Sequence, residues 1–190
     1  PHFSSLSAPN GTGIYFRANN YADKPRIYLD RTIIHGCAGP AIRLGADRFA
    51  DYGPPKTVSN IVEAVITHCT IVDNGGDGLR MVGNMAGSFA AITNTIFAAN
   101  GGTDVNLTDS GFTCNEAYNV FSSANDIVVN GVVQAPDVNS STDDPLFVAN
   151  GEKPVPWYGL NGRASPAWNS ATDGTSRGAI QGSFAPLGTV

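Results

Sequence analysis

Residues 66–81 read ITHCTIVDNGGDGLRM. Read alone, the stretch is an apolar entry, a polar corner rich in glycine, and a short alternating exit through Leu79, Arg80 and Met81. Shifted forward by 26 residues it falls without a gap on ITNTIFAANGGTDVNL (92–107), so that Ile66 meets Ile92, Asn74 meets Asn100 and Gly75-Gly76 meets Gly101-Gly102. Shifted back by 37 residues it falls, again without a gap, on LDRTIIHGCAGPAIRL (29–44). The longer interval places the excess between Leu44 and Ile66, where RFADYGPPKTVSN (48–60) carries the turn formers of an inserted loop. Weaker copies flank the three: NGTGIYF (10–16) matches the exit half of an earlier repeat, and AYNVFSSANDIVV (117–129) matches a later one. The chain is therefore built on about five repeats of roughly 20–26 residues.

A repeat of this length has few foldable forms. Its apolar runs are short, β-branched and closed by Gly and Asn, which excludes the 3.6-residue rhythm of a helical array. The leucine spacing of a leucine-rich repeat is absent. What fits is an all-β fold, a right-handed parallel β-helix of about five coils over 1–144, each repeat one coil of short strands. Equivalent residues of successive coils then lie about 4.8 Å apart. Four apolar columns form the expected core: Leu29/Ile66/Ile92, Ile34/Ile71/Phe97, Ile42/Leu79/Val105 and Leu44/Met81/Leu107. Asn74 and Asn100 share a corner column, where an asparagine ladder would bond coil to coil and accept left-handed backbone.

Composition agrees with this and excludes several functions. Only 14% of the 190 residues are charged, while 22 are Gly and 12 Pro. The formal net charge of −5 is the wrong sign for a nucleic-acid footprint. No apolar run of about 18 residues offers a membrane span. Cys37, Cys69 and Cys114 lack metal-ligand spacing and read as small buried thiols, with one disulfide among them as the alternative. Asn10-Gly-Thr, Asn106-Leu-Thr and Asn139-Ser-Ser are glycosylation sequons, a short pattern that recurs by chance.

The repeats ITHCTIVDNGGDGLRM and ITNTIFAANGGTDVNL resemble those of right-handed parallel β-helix proteins of the pectate-lyase-like superfamily. The closing segment DPLFVANG…LNGRASPAWNSATDGTSRGAI (144–180) resembles the tail of secreted bacterial members, although Trp168-Asn169 stand where such tails carry an aliphatic and an acidic residue. The resemblance implies a C-terminal portion of a longer protein, extracellular or at the cell surface. It fixes no activity, since this architecture hosts many. Residues 145–190, with Pro145, Trp157, Tyr158, Pro166, Trp168 and Phe184, are expected to cap the stack, because a last coil would otherwise present an open edge.

Chemistry is expected in the outward columns. Leu79 and Met81 point inward, so Arg80 points out, with Arg43 one coil before it and Asn106 one coil after. Two arginines one strand apart repel unless an anion joins them. Asp47, Asp51 or Asp77 would supply it locally, and a uronate or sulfate would supply it from a ligand. A second column holds Arg31, His68 and Asn94 and is read as outward. His35 reads as a partly buried histidine and Asp73 as corner chemistry. These readings give the substrate-binding candidates Arg43, Arg80, Asn106, Arg31 and His68, with no catalytic residue and no metal ligand assigned. Calcium is the one cofactor to consider, through the carboxylates of Asp73 and Asp77. The resemblance is informative here too: the clustered aspartates and Gly-His-Gly of polygalacturonate hydrolases are absent, and Lys24, Lys56 and Lys153 all lie outside the aligned repeats. The expected function is an extracellular module, structural or adhesive, that contacts an acidic polysaccharide along one face. The alternatives are the C-terminal part of a polysaccharide lyase acting on a uronate polymer, with Arg43 and Arg80 neutralising the carboxylate, and a self-associating subunit of a surface fibre.

Overall fold

A computed structural model describes residues 4–6, 8, 11–17, 26–45, 61–82, 87–108, 111–147, 160 and 162–179. The protein is all-β. Two strands come first, β1 (Ser4–Leu6) and β2 (Ile14–Arg17). Three complete triplets follow. They are β3 (Arg26–Asp30), β4 (Thr32–His35) and β5 (Ile42–Gly45); β6 (Glu63–Thr67), β7 (Thr70–Val72) and β8 (Leu79–Val82); β9 (Ser88–Thr93), β10 (Ile96–Ala98) and β11 (Val105–Thr108). Then come β12 (Phe112–Ala117), β13 (Ile127–Val129) and β14 (Val132–Val133). Each triplet gives one strand to each of three sheets, ordered β12-β9-β6-β3, β1-β4-β7-β10 and β14-β13-β11-β8-β5-β2. Every pair is parallel except β13–β14.

The registers are those of the repeat alignment. Leu29 pairs Ile66 and Ile66 pairs Ile92; Ile34 pairs Ile71 and Ile71 pairs Phe97. Ile42–Leu79–Val105 and Leu44–Met81–Leu107 continue in the same way. Apart from the partly buried Leu29, these side chains are fully buried in one core. Phe121 extends the Ile34–Ile71–Phe97 column by stacking on Phe97, with ring centroids 5.6 Å apart.

Two corners join the sheets, and each puts one residue per repeat in left-handed backbone. The first holds Arg31, His68, Asn94 and Tyr118, with φ between 48° and 58°. Beside it runs a polar stack in which Cys69 N–H donates to Thr95 Oγ1 (3.3 Å) and Thr95 N–H to Asn119 Oδ1 (2.9 Å). The second corner holds Gly36, Asp73 and Ala99. The asparagine ladder lies next to it: Asn74 Nδ2 donates to Asn100 Oδ1 (2.9 Å), and Asn74 Oδ1 accepts from Cys37 N–H (3.1 Å). The left-handed residue is thus the one before each asparagine. The ladder residues themselves need backbone that aims their amides along the stack. Close approach explains the glycines that follow, since a Cβ on Gly75 would lie 2.4 Å from Ala38 O and one on Gly101 2.6 Å from Gly75 O.

The parallel progression ends at a two-residue hairpin. Asn130 and Gly131 both have positive φ, and β14 turns back antiparallel on β13. Glu116 takes the place of Ile66 and Ile92 at the end of their column, where its carboxylate accepts from Asn119 Nδ2 and Ser140 Oγ. Residues 165–179 run along the side of the sheets, where Ala167 packs on Ile96 and Val120, and Ala179 on Ile33 and Val72. Buried Arg177 fastens it, donating to the carbonyls of Asn119 (2.6 Å), Asn139 (2.7 Å) and Ser170 (3.3 Å). The outward face of β4, β7 and β10 is itself apolar and needs a cover, which the tail provides. The inserted loop 48–60, Trp157, Tyr158 and Phe184 lie outside the described residues.

Candidate functional site

The sheet containing β2, β5, β8, β11 and β13 alternates between inward and outward side chains, apart from Phe16 on the outer strand, which pairs with Leu44 yet is 50% exposed. Its inward residues build the core, and its outward residues form a column: Tyr15, Arg43, Arg80, Asn106 and Val128. Arg43 and Arg80 are directly paired across adjacent parallel strands, and Arg80 is paired with Asn106. The structure therefore brings three of the five candidates together. It adds Tyr15, which is 46% exposed and lies under the Arg43 guanidinium, with Cζ 5.3 Å from the ring centroid. The signal for Tyr15 was in the sequence, because GIYF laid under AIRL puts it beneath Arg43.

Asp77 organises the column from below. This buried carboxylate accepts Thr103 N–H at Oδ1 (2.9 Å) and Asn106 Nδ2 at Oδ2 (3.2 Å). Thr108 Oγ1 donates to Asn106 Oδ1 (3.1 Å), which fixes the amide's orientation. Arg80 Nη1 stands 3.8 Å from Asp77 Oδ2, beyond hydrogen-bond range. Arg80 Nε is buried with no hydrogen-bond acceptor, while the side chain as a whole is 41% exposed. Arg80 is therefore attracted by one carboxylate that is already committed to two other donors. The column holds two guanidinium groups one strand apart, an amide on one side and an aromatic face on the other. Chemically it suits an oxyanion carried on a body with an apolar face.

Arg31 and His68 are brought together, but not with this column. They stack at the corner leading from β3 and β6 into β4 and β7, and Arg31 pairs with the Asp30 carboxylate. The expectation that this column faces outward is corrected by the tail. His68 and Asn94 are 7% and 3% exposed, because residues 172–179 lie across them. His35 is buried, and that burial lowers its pKa against the opposing charge of Asp73. Among the described residues no group of three His, Cys, Asp or Glu side chains gathers as a metal site. The thiols of Cys37, Cys69 and Cys114 are free, and burial pushes Cys69 and Cys114 up to about 12. No helix among the described residues is long and apolar enough to cross a membrane. Compared with protein-family models, curated proteins and solved structures, the chain matches none.

Proposed function

We propose that the chain is a right-handed parallel β-helix module of the pectate-lyase-like kind, working outside the cell, that holds an acidic polysaccharide against the column Tyr15, Arg43, Arg80 and Asn106. A general rule supports the handedness. Parallel strands of one sheet joined by a crossover, as β4 and β7 are through β5 and β6, connect right-handed in about 98% of cases. The reading of function rests on one observation, the in-register pairing of Arg43 with Arg80 beside an exposed tyrosine ring. Two like charges at the strand spacing of about 4.8 Å repel. Guanidinium groups bond carboxylate and sulfate oxygens in pairs, so a polymer with such a group on successive sugars suits this column, while Tyr15 offers a flat apolar face to a sugar ring.

The test is a binding titration with pectate, alginate and chondroitin sulfate, and with a neutral glucan as control. The wild type binds the acidic polymers, more weakly at high salt, and ignores the glucan. A charge-assisted hydrogen bond contributes about 1.5–3 kcal/mol, so Arg43→Ala and Arg80→Ala each weaken binding about tenfold or more. Unchanged affinity in the double variant refutes the site.

A further inference from the structure

Strand β3 reads RIYLD (26–30) and ends its sheet among the described residues. Its neighbour is β6, in a parallel register that pairs Asp30 with Thr67, and Arg31 N–H donates to Thr67 O (3.2 Å). That register turns the backbone groups of residues 27, 29 and 31 toward β6. Those of Arg26, Tyr28 and Asp30 face the open side. The side chains alternate as well. Ile27 points into the core and Tyr28 stands outward, 68% exposed. Leu29 points inward but is only partly buried, although Ile66 and Ile92 in its column are fully covered. Two charges flank Tyr28 on the outer face. Arg26 gives Nε (2.6 Å) and Nη2 (3.0 Å) to Glu63, and Asp30 binds Arg31 through Oδ2. The far end of the same sheet is finished differently, since its core column closes there on the hydrogen-bonded Glu116. Within β3 nothing blunts the edge, neither proline nor lysine nor bulge.

We propose that β3 is a self-association edge, on which a second copy of this chain adds its own β3 antiparallel about a two-fold axis through Tyr28. The strand is complementary to its own reverse. With Tyr28 opposite Tyr28 of the second copy, Arg26 falls opposite Asp30 and Ile27 opposite Leu29. The same pairs recur in reverse order, as a two-fold interface requires. The register serves the backbone too. Residues 26, 28 and 30 are the ones whose N–H and C=O groups face the open side, and each meets its counterpart in a hydrogen-bonded pair. On the outer face the charges then alternate across the joint: Glu63 and Arg26 of one copy, Asp30 and Arg31 of the other. On the inner face Leu29 gains Ile27 of the second copy as the apolar neighbour its column lacks. A second β3 laid parallel would set Arg26 on Arg26 and Asp30 on Asp30, like charge on like. The antiparallel pairing is therefore selected, and it closes after two copies. The joint is small. β1 pairs β4 and β2 pairs β5, so the other two sheets extend one strand beyond β3, and the copies meet on β3 and diverge elsewhere. Such a dimer is reversible.

Sedimentation velocity of the full chain at rising concentration tests this. One strand pair predicts a monomer–dimer equilibrium with a Kd on the order of tens to hundreds of micromolar, weakened by salt, and no larger species. Tyr28→Pro removes an N–H that β6 does not use, a change an edge strand tolerates. It is expected to abolish the dimer while circular dichroism shows the fold intact. Asp30→Arg alters an exposed side chain, sets like charges at both ends of the joint and weakens the dimer about tenfold or more. Under mild oxidation Tyr28→Cys cross-links two copies, since the Cα atoms of a hydrogen-bonded antiparallel pair lie about 5.5 Å apart. Arg26→Cys, whose counterpart lies at the far end of the joint, does not. The proposal is overturned by a monomer at every concentration up to the millimolar range, by a dimer undiminished in Asp30→Arg, or by association that runs on past two copies.

Discussion

Replacing Asn74 by alanine probes the device that ties one repeat to the next. The side chain is 2% exposed and makes four bonds. Oδ1 accepts from Cys37 N–H (3.1 Å), and Nδ2 donates to Val72 O (3.1 Å), Ile34 O (3.3 Å) and Asn100 Oδ1 (2.9 Å). Asn74→Ala leaves the Cys37 N–H and the Val72 carbonyl buried without these partners. Asn100 Oδ1 still faces the backbone N–H of residue 74 at 3.4 Å and loses least. An orphaned buried group costs about 1–3 kcal/mol, so the two together set a loss of about 3 kcal/mol. For a chain of this length each kcal/mol lowers Tm by about 2–4 °C, which gives a drop of about 6–12 °C. Urea unfolding at unchanged m-value is the assay, with Thr113→Ala on the exposed face of β12 as the control. A loss for Asn74→Ala no larger than the control's, within about 0.5 kcal/mol, refutes the ladder as a structural element.

Further outcomes follow from the same geometry. Gly75→Ala places a Cβ 2.4 Å from Ala38 O and is expected to abolish stable folding, whereas Gly131→Ala meets nothing within 4 Å and pays only the left-handed strain of about 1–2 kcal/mol; circular-dichroism melts separate the two. Asp77→Asn removes the carboxylate that faces Arg80 among the described residues and is expected to raise affinity for an acidic polymer about two- to fivefold, read by the same titration. Burial holds Cys69 and Cys114 as thiols up to about 12, so a thiol reagent at mildly alkaline pH reacts with neither until urea is added. Because the native state keeps those protons longer than the unfolded chain, stability falls as pH rises from the ordinary thiol range toward 12, which alkaline melts will show. An unsaturated product absorbing in the ultraviolet, formed from pectate or alginate, would favour the lyase reading over that of a binding module.

The columns were legible because the three central repeats align without gaps, so a period in the sequence becomes a neighbour in space. Ile66 over Leu29 and Arg80 over Arg43 needed only that shift. The corner at Arg31, His68, Asn94 and Tyr118 was not legible as a corner, because the four residues share a backbone conformation and no side-chain chemistry. Arg31, His68 and Asn94 were read as an outward column. The course of the tail was not legible for a different reason. It occurs once, so no alignment reports its contacts, and its anchors, from Asn94 to Thr172 and from Arg177 to Asn119, span 78 and 58 residues. Composition showed that it covers something. The apolar outward residues Ile33, Val72 and Ile96 decide what.

The account depends above all on Arg43, Arg80 and Asn106 standing in one column on successive strands. Cysteine pairs test that directly, since a disulfide needs Cα atoms about 4.4–6.8 Å apart. Neighbouring strands meet this limit, and strands two apart, at about 9–10 Å, do not. Under mild oxidation, Arg43→Cys with Arg80→Cys, and Arg80→Cys with Asn106→Cys, are expected to cross-link, while Arg43→Cys with Asn106→Cys stays reduced. Cross-linking of the third pair, or failure of both others in a folded protein, contradicts the register and with it the site.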